Sequence, residues 1–465
     1  MLKILIASIS ALFFLVAFIF IDYGVDIYLI SISHFVYLYI YYEAIKISLK
    51  NGHYISIDIV FYLFFYVILL FPYALYLFDI FDLVSARYVD YVFIDYSNQA
   101  IAISMFGVCA YFIGSTYQLI KLKPNLTSII NAKDPYVYDG LIKVVLLLQL
   151  LFFVLFMLTG YSNLSQGSYG GTDTGTNAEN GVYFLVTHFC LMGVGLCISN
   201  MALKKRFTIF HFSSISLVLF WMLLLLSFGD RNMFFILAVS IFAGYVIFIR
   251  KVPFKLVLIN VAFALFLYQI VEYTRMAEEL TFERMLESYM YYKTIGDESQ
   301  IGSGSFYNTT ISLRASLEFA ENNDYFWGKF KIVGILGIIP FSRSLFISPD
   351  DPYVISADVL TETVLGPAAT WGIGTNIISD IYLDFGPIGV FILMYILGSF
   401  SGYLSRKVSY GFKDPKLVTI FIIVVSLYSQ IARYTFDFPV RNIAWTLIIF
   451  IFYGFIMKKY KSGAK

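Results

Sequence analysis

The chain has 465 residues, 59% of them hydrophobic and only 14% charged, with a mean hydropathy of +0.78. A soluble globular domain carries roughly 25% charged residues, so that class is excluded, and disorder is excluded because apolar residues are too plentiful. The formal charge of +1 gives no overall bias toward nucleic acid; any electrostatic message lies in where the charges sit. Three cysteines, Cys109, Cys190 and Cys197, fall inside apolar runs without metal-ligand or disulfide spacing and read as small core residues.

A helix rising about 1.5 Å per residue needs roughly 20 apolar residues to cross the hydrocarbon layer. Twelve stretches qualify: 3–22, 25–45, 56–79, 99–120, 141–160, 181–201, 208–228, 233–250, 254–272, 386–404, 417–432 and 443–457. The first begins MLK and ends FIFIDYGVD with no small-residue cleavage site, so it reads as a retained helix rather than a removed signal peptide. The expectation is an all-α polytopic membrane protein in three parts. Residues 1–272 carry nine spans, 273–385 form one large loop, and 386–465 carry three spans and a tail.

Alternate loops carry KISLKNGH, KLKPNLTSIINAKD, KKRF, RKVPFK, SRKVSYGFKDPK and the tail KKYKSGAK; with Lys3 and Lys143 they hold 21 of the 32 basic residues. The positive-inside rule places these loops and both termini in the cytoplasm and the large loop outside. The inner set is 18 Lys and 3 Arg, the outer set 8 Arg and 3 Lys. Lysine suffices as a topology marker. Arginine, whose planar fork binds carboxylate or phosphate through two hydrogen bonds, points to an anionic ligand handled outside.

The loop of about 110 residues is too long for a plain connector and too rich in aromatic and β-branched residues for disorder. Segments 275–292 and 309–320 have helical spacing of apolar residues, and 328–343 is apolar enough to lie on or dip into a membrane. The stretch 371–391 enters the tenth span through glycines. A second outer loop, 161–180, rich in Gly, Ser, Thr and Asn, suits a mobile flap, a sugar-contacting surface or a plain connector.

Arg231 lies in FGDRN between spans seven and eight, and Arg433 and Arg441 lie in ARYTFDFPVR between spans eleven and twelve. Arginines at membrane depth usually face a cavity and a partner; the plainer readings are pairing with Asp230 or Asp437, or snorkelling to the interface. No metal-ligand cluster, phosphate loop or outer DxD pair is present, so no cofactor is expected. Among the many outer carboxylates, Glu318 is favoured as a general base. It follows Arg314 by four positions on a helix, a spacing that equally supports a plain Arg314–Glu318 ion pair.

Four pieces in order carry a resemblance: FGDRNMFFILAVSIFAGYV, an acid-bearing helix followed by IPFSRSLF, the run into DFGPIGVFILMYILG, and ARYTFDFPVR. Over roughly 220–455 the chain resembles the Wzy-type polymerases of O-antigen and related polysaccharides, and within them the oligosaccharide-repeat-unit and enterobacterial-common-antigen branch. The resemblance implies a GT-C-like membrane glycosyltransferase of the bacterial inner membrane. Such an enzyme joins undecaprenyl-diphosphate-linked oligosaccharide repeat units on the periplasmic face without a metal. Its partners are that lipid-linked substrate and membrane lipid, with a chain-length regulator left open and no nucleic acid. Arg231, Arg343, Arg433 and Arg441 match the branch, and Arg275 and Arg314 correspond only by position within the loop; all six are expected to bind the diphosphate. The R-x10-G arginine signature of some members is missing. The alternatives are an O-antigen ligase, which is expected to carry a histidine in the large loop, and a lipid-linked oligosaccharide flippase. His34, His53, His188 and His211 all lie outside that loop, and the unequal halves lack a transporter's internal repeat.

Overall fold

The computed structural model describes residues 2–50, 55–80, 83, 91–121, 138, 140–159, 178–204, 207–227, 230–250, 252–253, 255, 305–339, 342, 347–348, 351–369, 372–409 and 414–463. Every regular element among them is helical: α1 (Leu2–Phe20), α2 (Ile27–Lys50), α3 (Ile57–Leu77), α4 (Ser97–Lys121), α5 (Leu141–Thr159), α6 (Ala178–Lys204), α7 (Ile209–Ser227) and α8 (Arg231–Ile249), then α9 (Ser305–Asn322), α10 (Lys329–Leu336), α11 (Ser356–Leu365), α12 (Ile377–Ser409), α13 (Pro415–Tyr428) and α14 (Asp437–Gly463). Eleven of the twelve expected spans coincide with one of these; the ninth, 254–272, lies outside the described residues apart from Lys255. Among the described residues nine helices are long and apolar enough to cross a bilayer, making this a multi-pass membrane protein. Helix α2 has the length but is diluted by tyrosines, His34 and Glu43, and α13 is short at 14 residues.

The chain divides into two compact units. The first comprises Met1–Pro124, Glu298–Tyr410 and Tyr428–Arg441; the second comprises Asn125–Asp297, Gly411–Leu427 and Asn442–Lys465.

In the first unit α4 and α12 pack backbone to backbone. A Cβ at Gly398 would fall on the Tyr111 carbonyl, one at Gly402 on that of Ser115, and one at Gly114 on that of Tyr395. Lipid tails are as apolar as leucine, so helices in a membrane gain from close van der Waals contact rather than from hydrophobic exclusion. The Gly398-x-x-x-Gly402 spacing supplies that contact. Beside this seam Asp58 of α3 is buried and its carboxylate accepts three hydroxyls: Tyr111 at 2.9 Å, Ser115 at 2.5 Å and Ser401 at 2.5 Å. Phe61 stacks on Tyr111 with ring centroids 3.9 Å apart.

Helix α12 does not begin where the apolar run suggests. It starts at Ile377, and its first turns, through Asp384, are buried. The chain then kinks at Gly386, which takes the left-handed φ of 63° before Pro387 and sits against the Tyr325 ring, where a Cβ would not fit. The expected boundary at 386 is this kink inside one helix.

In the second unit the core is aromatic with a few satisfied polar groups. Trp221 is fully buried and donates Nε1–H to Thr187 Oγ1 at 3.1 Å. Gln149 accepts from Ser214 at 2.9 Å and donates to the Phe189 carbonyl at 3.1 Å, with Gly193 leaving room for both side chains. Gly195 of α6 seats Thr419 of α13.

Replacing Gly398 by Leu should lower the thermal midpoint of the purified protein in detergent, because the new side chain must separate α4 from α12 at a cost of about 1–3 kcal/mol or more. Gly454→Ala, at a position with nothing within 4 Å, should leave the midpoint unchanged or slightly raised.

Candidate functional site

The expected loop helix at 309–320 is α9, and Arg314 and Glu318 diverge from it. Arg314 is wholly buried: its Nε donates to the Tyr73 hydroxyl at 3.0 Å and its Nη1 to the Val92 carbonyl at 3.2 Å. The guanidinium lies over the rings of Tyr73 and Tyr307, 5.2 Å and 5.7 Å from their centroids. Arg314 therefore fastens α9 onto the end of α3, an occupation different from the diphosphate contact expected of it. Nor does it pair with Glu318; the shared helical face is overridden by the aromatic socket.

Glu318 is half-buried, and its Oε2 is shielded without a hydrogen-bond partner among the described residues. Burial together with the nearby charges of Glu321 and Asp95 holds its carboxyl above the usual carboxylate range. Glu321, one turn on, accepts the Tyr23 hydroxyl at 2.8 Å and the Tyr96 hydroxyl at 2.5 Å, and these bonds hold its carboxyl low. Two acids on one helix end are thus pushed in opposite directions, the setting in which one of them can act as a base.

A buried ion cluster lies next along the chain. Helix α10 is entered through two left-handed residues, Trp327 at φ 51° and Gly328 at φ 90°, and Gly328 offers no side chain to cap it. The cap comes from α12 instead: the Asp384 carboxylate accepts the N–H groups of Phe330 at 3.2 Å and Lys331 at 3.1 Å. The Lys331 ammonium reaches Asp380 Oδ2 at 2.7 Å, the Asp380 carbonyl at 2.8 Å and Asp384 Oδ2 at 3.2 Å, which satisfies its three donors. Asp380 also accepts Ser356 Oγ at 2.7 Å and the Phe436 N–H at 2.8 Å. Lys331, Asp380 and Asp384 are all buried, so removing one partner of this cluster leaves an uncompensated charge at a cost of about 3–5 kcal/mol.

Phe436 lies in the segment between two of the predicted arginines, Arg433 and Arg441. Residues Ile431–Arg433 make a single tight turn, Tyr434 is extended, and α14 starts at Asp437, with the Tyr434 and Phe438 rings stacked 4.4 Å apart. Arg433 and Arg441 flank this turn and are half-buried. Gly334 of α10 packs directly against the Asp437 side chain.

Arg231 belongs to the second unit, where it is buried as the first residue of α8. Asp230 precedes it as the N-cap, accepting the N–H groups of Asn232 at 3.0 Å and Met233 at 3.2 Å and the Tyr183 hydroxyl. Asp230–Asn232 is thus a capped helix start. Arg275 and Arg343 lie outside the described residues. Among the described residues no three His, Cys, Asp or Glu side chains gather as a metal site.

Sequence reasoning passed over Lys331 and Ser356, and counted Asp380 and Asp384 only among many acids. The signal was there: Asp380 and Asp384 stand four apart in the otherwise apolar ISDIYLDF, and Lys331 stands in the equally apolar FKIVGIL. Charges inside apolar helices must find one another.

No curated protein and no solved structure matches the chain. A family model described as O-antigen polysaccharide polymerase Wzy matches residues 4–464, which includes the amino-terminal half whose resemblance rested on hydropathy alone. Coverage of nearly the whole chain, on an all-helical multi-pass fold, places the protein: it belongs to the O-antigen polysaccharide polymerase Wzy family, whose members polymerise repeat units into polysaccharide.

Proposed function

We propose that this polymerase uses undecaprenyl-diphosphate-linked oligosaccharide as its donor and works, without a metal, on the periplasmic face of the inner membrane, both termini being cytoplasmic. The lysine-rich alternate loops support the topology. The observation that carries the chemistry is the pair Arg433 and Arg441, half-buried on either side of a turn whose backbone is fixed by Asp380. The donor already carries a good leaving group. An acceptor hydroxyl attacks the anomeric carbon at the end of the growing chain, the bond to the diphosphate oxygen breaks, and undecaprenyl diphosphate departs with the bonding pair. Guanidinium forks stabilise the charge that develops there. Glu318 receives the hydroxyl proton. Arg231, Arg275 and Arg343 stay in the proposal as diphosphate ligands on the strength of the sequence, while Arg314 holds α9 in place.

Arg433→Ala and Arg441→Ala, at matched protein level, should each collapse the ladder of extracted surface glycolipid to core plus a single repeat. The lysine variants should fail to restore it, because an ammonium cannot make the bidentate contact. Full-length ladders from both alanine variants would sink the reading.

Glu318→Gln should lower the polymerisation rate by about 10²-fold or more. As a base Glu318 works ionised, so the wild-type rate should climb as pH rises through its elevated pKa. Asp95→Asn removes one of the charges that raise this pKa and should move the acidic limb to lower pH. An unshifted limb would remove Glu318 from the mechanism.

A further inference from the structure

One of the two acids that Lys331 holds, Asp380, leads to the segment between Arg433 and Arg441. At the start of α14 the Phe436 N–H has no intrahelical acceptor and must find one elsewhere. It finds Asp380 Oδ2, the same oxygen that takes the Lys331 ammonium. Arg441 follows Asp437 by one helical turn, and Arg433 precedes Phe436 by three residues. Helix α10 itself reaches the start of α14 where Gly334 meets Asp437. The Ser356 hydroxyl, from α11, fixes the other oxygen of Asp380.

We propose that the Lys331–Asp380 pair, steadied by Ser356, is a positioning device that sets the register of the Arg433–Arg441 turn for a lipid diphosphate. This rests on the reading that Arg433 and Arg441 bind the diphosphate. Lys331 supplies the cation that compensates the buried Asp380 carboxylate, whose Oδ2 keeps the Phe436 N–H. Without the ammonium the buried carboxylate loses its counter-charge and is drawn from its place, which releases the turn. The guanidinium groups would then remain chemically intact but misplaced, and misplacement by about 1 Å can cost up to 10²-fold.

The test is equilibrium binding of undecaprenyl diphosphate to the purified full chain in lipid nanodiscs, with the folded fraction measured in parallel. Lys331→Met, which keeps the apolar stem and removes the charge, should raise Kd about tenfold for the folded protein, and Lys331→Arg should recover most of the loss. Ser356→Ala, a milder change that serves if Lys331→Met fails to fold, should raise Kd about threefold. A purely structural role would lower the folded fraction and leave the Kd of what folds unchanged; that result, with Arg441→Ala losing binding, overturns the positioning role alone. If Arg433→Ala and Arg441→Ala both bind like wild type, the diphosphate reading fails, and a Lys331 acting through those arginines fails with it.

Discussion

An ammonium ion buried between two carboxylates has little freedom. Out of water each charge is expensive, and the cluster holds only while every donor of Lys331 and the oxygens of Asp380 and Asp384 are engaged. That condition brings four pieces of chain to one place: the start of α10, the start of α11, the first turns of α12 and the turn before α14. The kink at Gly386 follows from it, since α12 must pass from this buried segment into a lipid-facing one, and Ile388, Ile392 and Ile396 beyond the kink are exposed. Asp58 plays the same part elsewhere in the unit, with hydroxyls in place of a cation.

How far the fold was legible depends on the kind of signal. Hydropathy located α1, α3 and the helices from α4 to α8 to within a few residues, because an apolar run of spanning length has few other uses. It misplaced the start of α12, where Ile377–Asp384 is buried in protein and mixes aspartates with aliphatic residues. It could not show that Gly398 and Gly402 form a seam, since spacing alone does not say which helix approaches.

The site was legible in outline only. The contrast between lysine inside and arginine outside pointed to anion chemistry, yet two of the three lysines assigned to the outer side turn out to be engaged internally. Lys329 pairs with Asp351 at 2.8 Å, and Lys331 lies in the buried cluster. One arginine behaves in the same way, Arg314 being buried among tyrosines. Sequence spacing predicts that Arg314 and Glu318 share a face; it does not contain Tyr73 and Val92, which come from distant parts of the chain and decide where the guanidinium goes.

The last hydrogen bond of the buried cluster has a bearing on biogenesis. Phe436 lies 56 positions beyond Asp380, so during synthesis the loop helices and the first turns of α12 emerge well before their final donor exists. Asp380 can meet Lys331 and Ser356 early, but its Oδ2 stays one bond short until Phe436 has been made. Completion of the cluster therefore waits on the turn before α14. The arrangement couples the order of the arginine-bearing turn to the assembly of α10, α11 and the first turns of α12 around Asp380, all of which are translated before it.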